Sequence, residues 1–323
     1  MKTYRLTISA ATALGTPLLG ETLFGSLCWA IVRLFGDERL KELLRGYGEG
    51  KPFAVVSDAF PEGYVPLPVL PSIFWASRAG DDRKYLKKKV WLPVKELLTA
   101  PETWQAKALT DAELAATLST PSVGGKAMLK TSTVRVHNTI NRSTLTTGEG
   151  MFAPYQQTQM RFHPLIQLAI YVVVDETRFS ESELQQAMTF IGLSGFGRDA
   201  SAGLGKFEVI GAPQEMQLQP ASRSRLALAS VSLGGMTGIV AEKTFYRLKT
   251  HFGRHGAELA LSGAPFKKPV VLAQAGAVMT FDAPQNASFV GQGITGISSA
   301  KPETVHQGYC PVLALADLAE VGK

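Results

Sequence analysis

The sequence predicts an α+β fold, and three observations carry the prediction. Strand-like and helix-like periodicities alternate through residues 1–211. Leu165 to Val174, in "HPLIQLAIYVVVD", is almost continuously apolar and β-branched, as a central strand must be when both its faces are covered. Finally, "SESELQQAMTFIG" places Ser180 and Glu183 at capping-box spacing, ahead of a helical face of Leu184, Ala187, Met188 and Ile191.

The elements follow in order. In "MKTYRLTIS", Tyr4, Leu6 and Ile8 share one face of a period-two pattern, which predicts a half-buried first strand. After a turn at Pro17, Leu23, Leu27, Ala30, Ile31 and Leu34 recur at helical spacing, with Gly36 as the stop signal. "FAVVS" predicts a short strand, and Pro61, Pro66, Pro68 and Pro71 beyond it predict an exit from the core. Between Thr99 and Gly150 periodicity is weak and the "PSVGGK" turn interrupts it, so an insertion of irregular structure is expected there. The long apolar strand, the capped helix and the alternating "KFEVI" complete the series. Strand, helix, strand, insertion, strand, helix, strand is the β-α-β-β-α-β order of a ferredoxin-like domain, with the insertion in its middle hairpin. From Arg223 onward, "LALASVSL", "PVVLAQAGAVMTF" and "PVLALAD" predict strands of a smaller second α+β domain.

Composition bounds the function. With 323 residues and 45% apolar content the chain can bury two cores, and its net charge of +6 suits an anionic partner such as nucleic acid. Cys28 and Cys310 have no second cysteine at ligand spacing, which argues against structural zinc and against a disulfide framework. The N-terminus has no apolar signal-peptide core, and no apolar run is long enough to span a membrane, so a cytoplasmic protein without membrane contact is expected.

Three stretches offer chemistry. In "WASRAGDDRKYLKKKVWLPVKELL", cations (Arg78, Arg83, Lys84, Lys87, Lys88, Lys89 and Lys95) are interleaved with Trp75, Tyr85 and Trp91. Such a mixture can neutralise phosphates and stack bases, or it can be a solvated helix face with a few core aromatics. In "IGLSGFGRDASAGLGKFEVIG" the dinucleotide fingerprint fails, because "GFGRDA" follows a helix and precedes a strand. A P-loop fails as well, because Phe207 follows Lys206 and Ala200 stands where the first glycine belongs. What remains is either an anion-binding nest of bare amides with Ser194, Arg198, Ser201 and Lys206 beside it, or a glycine-rich cap and turn. In "VRVHNTINRSTLTTGEGMF", His137, Asn138, Arg135 and Arg142 could contact RNA or form a polar turn; a general base at His137 lacks a partner acid or nucleophile at recognisable spacing. His251 and His255, four apart in "HFGRH", could share a helix face, but Phe252 replaces the glutamate of metalloprotease motifs and Gly253 weakens the helix.

"TPLLGETLFGSLCWAI", "VRVHNTINRSTLTTGEGMF", the glycine loop and "HQGYCPVLAL" together resemble one family along the whole chain. It is the family of the fourth subunit of the type III-A (Csm) CRISPR effector complex, within the RAMP superfamily. The resemblance implies two ferredoxin-like (RRM-like) domains: residues 1–212, with a thumb inserted at about 66–135 that includes the Lys87 to Lys89 run, and residues 213–323. It implies a non-catalytic subunit, without metal or cofactor, that grips the repeat-derived 5′ tag of the crRNA at one end of the complex. Its partners would be the large polymerase/HD-type subunit and the adjacent backbone RAMP subunit. Tag contacts would come from Lys87, Lys88 and Lys89, from His137, Asn138 and Arg142, and from the loop residues Ser194, Gly195, Gly197, Arg198, Ser201, Gly203, Gly205 and Lys206. RAMP relatives often carry an acidic residue where Asn141 stands here. The rival within the superfamily is an endoribonuclease that processes CRISPR repeat RNA, with His137 as the earliest candidate histidine; a pure protein-interaction scaffold is the third reading.

Overall fold

A computed structural model describes residues 1–76, 82–118, 128–217, 219–256, 259–260 and 263–318. Arg78 and the "PSVGGK" turn lie outside them. β1 (Lys2–Ala10) buries Tyr4, Leu6 and Ile8 on one face, as its alternation requires. α1 (Gly20–Phe35) buries Leu23, Phe24, Leu27, Ala30 and Ile31 and ends at Gly36, whose φ of 92° few other residues adopt and whose amide bonds the carbonyl of Val32. α2 (Asp37–Leu44) follows at once. β2 (Ala54–Pro61) lies at the edge of its sheet, where a proline costs no ladder bond.

The chain does not leave the core after β2. It turns into β3 (Tyr64–Pro66), which pairs with β4 (Trp91–Pro93), while α3 (Arg83–Leu86) and α4 (Trp104–Lys107) are single turns and α5 (Asp111–Leu118) has two. Phe60, Val65, Leu92, Leu97 and Trp104 form a second core with Leu226, Leu228, Val278 and Leu313. The expected exit and the expected irregular insertion are both corrected here: elements this short complete too little of a helical or strand period to register in the sequence. Two long strands then form a hairpin, β5 (Lys130–His137) and β6 (Tyr155–Phe162).

β7 (Leu168–Val174) is fully buried and central, and α6 (Glu181–Ser194) carries the expected capping box of Ser180 and Glu183. β8 (Phe207–Glu215) closes an antiparallel sheet of order β2-β7-β1-β8, with α1 and α6 packed on each other. The β-α-β-β-α-β series read from the sequence is therefore present, with β3 to β6 and α3 to α5 lying between its second and third strands.

Beyond it, β9 (Ser222–Ala227) starts four residues before the expected "LALASVSL" strand and ends inside it. β10 (Leu248–His251) and β11 (Val270–Ala273) form a two-stranded arm; β12 (Val278–Gln285), β13 (Phe289–Gly291) and β14 (Tyr309–Ala314) join β9 in a sheet of order β12-β9-β14-β13. No α-helix occurs among the described residues beyond Glu215, where strands and short 3-10 turns such as Ala241–Lys243 stand in place of the expected second α+β unit. The two large sheets are stitched together at the open edge of β2. There the Gln307 side chain accepts from the Val56 amide at 2.8 Å and donates to its carbonyl at 2.7 Å, doing for that edge what a neighbouring strand would do.

Candidate nucleic-acid interface

In the β5–β6 hairpin, β5 stands in solvent on both faces, while β6 buries Gln159 and packs Met160 and Phe162 against the first core near the hairpin's base. Its ladder runs from Lys130↔Phe162 to His137↔Tyr155, and Val134, Val136, Ile140, Leu145 and Met151 are all exposed. An isolated two-stranded ribbon is marginal in water, so its base is fastened. Leu14 bridges Met160, the His163 amide bonds the carbonyl of buried Leu129, Lys130 lies 3.7 Å from Asp111, and Arg198 Nη2 donates to Thr158 O at 2.9 Å. At the far end of the ladder the His137 ring stacks on Tyr155, with centroids 5.6 Å apart. His137 Nε2 is shielded and finds no hydrogen-bond partner among the described residues. Asn138 and Arg142 are exposed in the connection beyond it, where Asn141 pairs with Thr146 and accepts from the Ser143 amide. Apolar and aromatic side chains and guanidinium groups thus share one projecting element, a combination suited to unpaired bases and phosphates.

The glycine loop between α6 and β8 is built differently from an open nest. The amides of Gly195, Gly203 and Gly205 donate to the carbonyls of Ile191, Ala200 and Ala13. Those of Arg198 and Lys206 donate to the hydroxyls of Thr16 and Thr12, each at 2.9 Å. At these positions the expectation of free amides is corrected, because the loop's own fold and the β1–α1 connection consume them. The glycines serve close approach and left-handed backbone. A Cβ on Gly205, at φ 74°, would lie 2.0 Å from Phe196 O, and one on Gly197, at φ 76°, would lie 2.7 Å from Thr16 Cβ. Gly205→Ala should therefore cost about 2 kcal/mol or more, read as a fall in the urea midpoint; an unchanged midpoint would contradict this packing. Outward from the loop stand Ser194, Arg198, Ser201 and Lys206, and the Asp199 carboxylate sits 3.2 Å from Arg198 Nε, offsetting one of its two cations.

The third group sits between α3 and β4. Lys87 and Lys88 are exposed, whereas Lys89 donates to Ala106 O at 2.8 Å and lies over the Tyr85 ring. The aromatics beside them are mostly spent: Tyr85 bonds Glu113, and half-buried Trp91 donates to Asp111. Val65, Leu92, Leu97, Trp104 and Ala108 pack into the second core, so the element standing free is the ribbon of 130–162, of which only β5 falls mostly within the expected thumb. α5 links the two regions, since Glu113 holds Tyr85 while Asp111 holds Lys130. Of the predicted residues, the structure joins Arg198 to the ribbon directly and the lysine run to its base through α5.

Sequence reasoning missed the exposed apolar residues of the ribbon. Their signal was the alternation in "TSTVRVH" and "YQQTQMRF", which predicts paired strands but not that both faces of β5 stay in water. His251 and His255 share no helix. His251 ends β10, and His255 is buried with Nε2 2.7 Å from Ser298 Oγ. No helix among the described residues is long and apolar enough to cross a membrane.

No family model matches the sequence, and no curated protein matches it. Solved structures do. A chain from the Csm1-Csm4 cassette in complex with pppApA matches with a TM-score of 0.56 at 18% identity, over 98% of this chain and 99% of that one. A chain from the Csm3-Csm4 subcomplex of the type III-A CRISPR-Cas interference complex matches with a TM-score of 0.60 at 13% identity, over 98% and 100%. The cassette with cA4 gives a TM-score of 0.56 at 18% identity, over 98% and 99%. Csm4 is the subunit that both assemblies share by name. The fold is thus the one found in the same complex whose fourth subunit the sequence resembles.

Proposed function

We propose that the chain is a non-catalytic RNA-binding subunit of a type III-A CRISPR effector, acting in the cytoplasm. It grips the repeat-derived 5′ tag of the crRNA at one end of the complex, beside the large polymerase-like subunit and the adjacent backbone RAMP subunit. The observation that carries this reading is the match over 98% of the chain to structures that have Csm4 in common. In this reading residues 1–212 and 213–323 are the two RAMP domains, and the β5–β6 ribbon takes the part expected of the thumb. Arg135, Arg142 and Arg198 neutralise the RNA backbone, while Tyr155, stacked on His137, offers a face to a base. The glycine loop contributes through its side chains and shape more than through its amides.

The test is titration of the full chain with an RNA carrying the repeat-derived tag, over a series of salt concentrations. Log affinity should fall against log salt with a slope near −0.7 per phosphate contact, and Arg135→Glu with Arg142→Glu should make the slope shallower by one to two contacts, about 0.7–1.4. Salt-independent binding would refute the reading. So would specific cleavage of repeat RNA that His137→Ala abolishes, which would install the endoribonuclease in its place.

A further inference from the structure

Far from the ribbon in sequence, the β10–β11 arm shows a second concentration of exposed aromatic and cationic side chains. Phe252 and Phe266 are 73% and 68% exposed, and Tyr246 is also open to solvent. These rings are too exposed to be serving the core. Arg254 bridges Phe266 across the arm and places its guanidinium 5.5 Å from that ring's centroid, leaving the other ring face open. The inward side is already committed: Lys249 Nζ bonds Glu21 at 2.6 Å and His251 faces the same carboxylate. The charge balance is lopsided. Residues 243–273 contain six Lys or Arg and a single acidic residue, Glu258, a net +5 set against +6 for the whole chain.

Such a surface could meet a protein or a polyanion. Protein interfaces are depleted of charge at their centres and of lysine generally, whereas here Arg247, Arg254 and Lys268 are exposed among the rings. Cations spaced among open aromatic faces are what single-stranded nucleic acid requires, because phosphates need counter-charge and unpaired bases need surfaces to stack on. We infer that the β10–β11 arm is a second single-stranded RNA contact surface, separate from the ribbon. Tyr246, Phe252 and Phe266 stack on bases, and Arg247, Arg254 and Lys268 neutralise the intervening phosphates. The inference rests on the reading that the chain binds RNA, but it assigns RNA to residues that reading does not use.

The experiment measures binding of the full chain to a fluorescent 12-nucleotide oligoadenylate and to a 12-base-pair RNA duplex at one fixed ionic strength. The arm variant carries Phe252→Ala and Phe266→Ala, the ribbon variant Arg135→Glu and Arg142→Glu. The arm variant should bind oligoadenylate about 10-fold more weakly or worse with duplex binding little changed, since stacking needs unpaired bases. Phe252→Leu with Phe266→Leu, which keeps apolar bulk but removes the π faces, should show most of the same loss. Oligoadenylate binding unchanged in the arm variant, or an equal loss on duplex, overturns the inference; an accompanying loss of a protein partner would identify a protein-docking face instead. Loss in the ribbon variant alone leaves the proposed function standing without this surface, loss in the arm variant alone does the reverse, and a wild-type chain that binds neither probe removes both.

Discussion

Trp104→Ala is expected to lower stability by about 3–5 kcal/mol, the usual range for truncating a large buried aromatic. Trp104 is wholly buried in the second core, and its indole N–H donates to the carbonyls of Glu96 and Thr99 at 2.9 and 3.1 Å. Truncation opens a cavity between the β3–β4 segment and the sheet that holds Leu226 and Leu313, and it also orphans two carbonyls. Trp104→Phe separates the effects: it refills most of the volume while leaving those carbonyls unmet, so it should cost about 1–3 kcal/mol. Urea midpoints of the two variants check this. Equal, small shifts would mean that the segment is not part of a packed core.

Glu21→Ala is expected to cost about 2–4 kcal/mol, and its reason lies in a polar seam assembled from distant positions. The Glu21 side chain is fully enclosed in the first turn of α1, 2.6 Å from Lys249 Nζ and 3.5 Å from His251 Nδ1. Burial pushes its carboxyl upward, but the Lys249 ammonium outweighs that and holds it below the usual carboxylate range. Asp58 nearby, which accepts from the Gly20 amide, is raised to about 7 by burial and then by the charge of Glu21. His306, whose ring lies tilted 5.0 Å from that of His251, is lowered to about 3 by burial and then by His251. At neutral pH the Glu21–Lys249 pair is the main charge contact of the seam, with Asp58 only partly ionised beside it, and removing the Glu21 carboxylate leaves the ammonium without its direct partner. Full burial would put the loss at about 3–5 kcal/mol; Lys249 keeps 21% of its side chain in water, and Asp58 ionises more readily once Glu21 is gone, so the figure is smaller. The urea midpoint at pH 7 should fall accordingly, and Glu21→Gln, whose amide oxygen can still accept from Lys249, should fall less. A midpoint indifferent to both changes would contradict the pairing.

Much of the architecture was legible in the chain because its causes are local. Tyr4, Leu6 and Ile8 alternate on β1, Ser180 and Glu183 cap α6, and the run into Val174 is apolar enough to be central only in a sheet. The short turns around Trp104 were not legible, since four residues complete barely one helical period. Nor was the candidate site fully legible: Val134 and Val136 fell in a stretch expected to be irregular, and nothing local distinguishes a strand facing a core from one facing water.

By itself the sequence determined the β-α-β-β-α-β order, the stop at Gly36, the capped helix and the cationic balance, because each is written in the spacing or chemistry of neighbouring residues. Only the tertiary structure decided that the loop amides at Gly195, Gly203 and Gly205 are consumed, that Trp104 belongs to a core, and that Glu21 meets Lys249. Those outcomes depend on which segments, tens to hundreds of residues apart, come to share one environment, and burial and hydrogen bonding are properties of that environment.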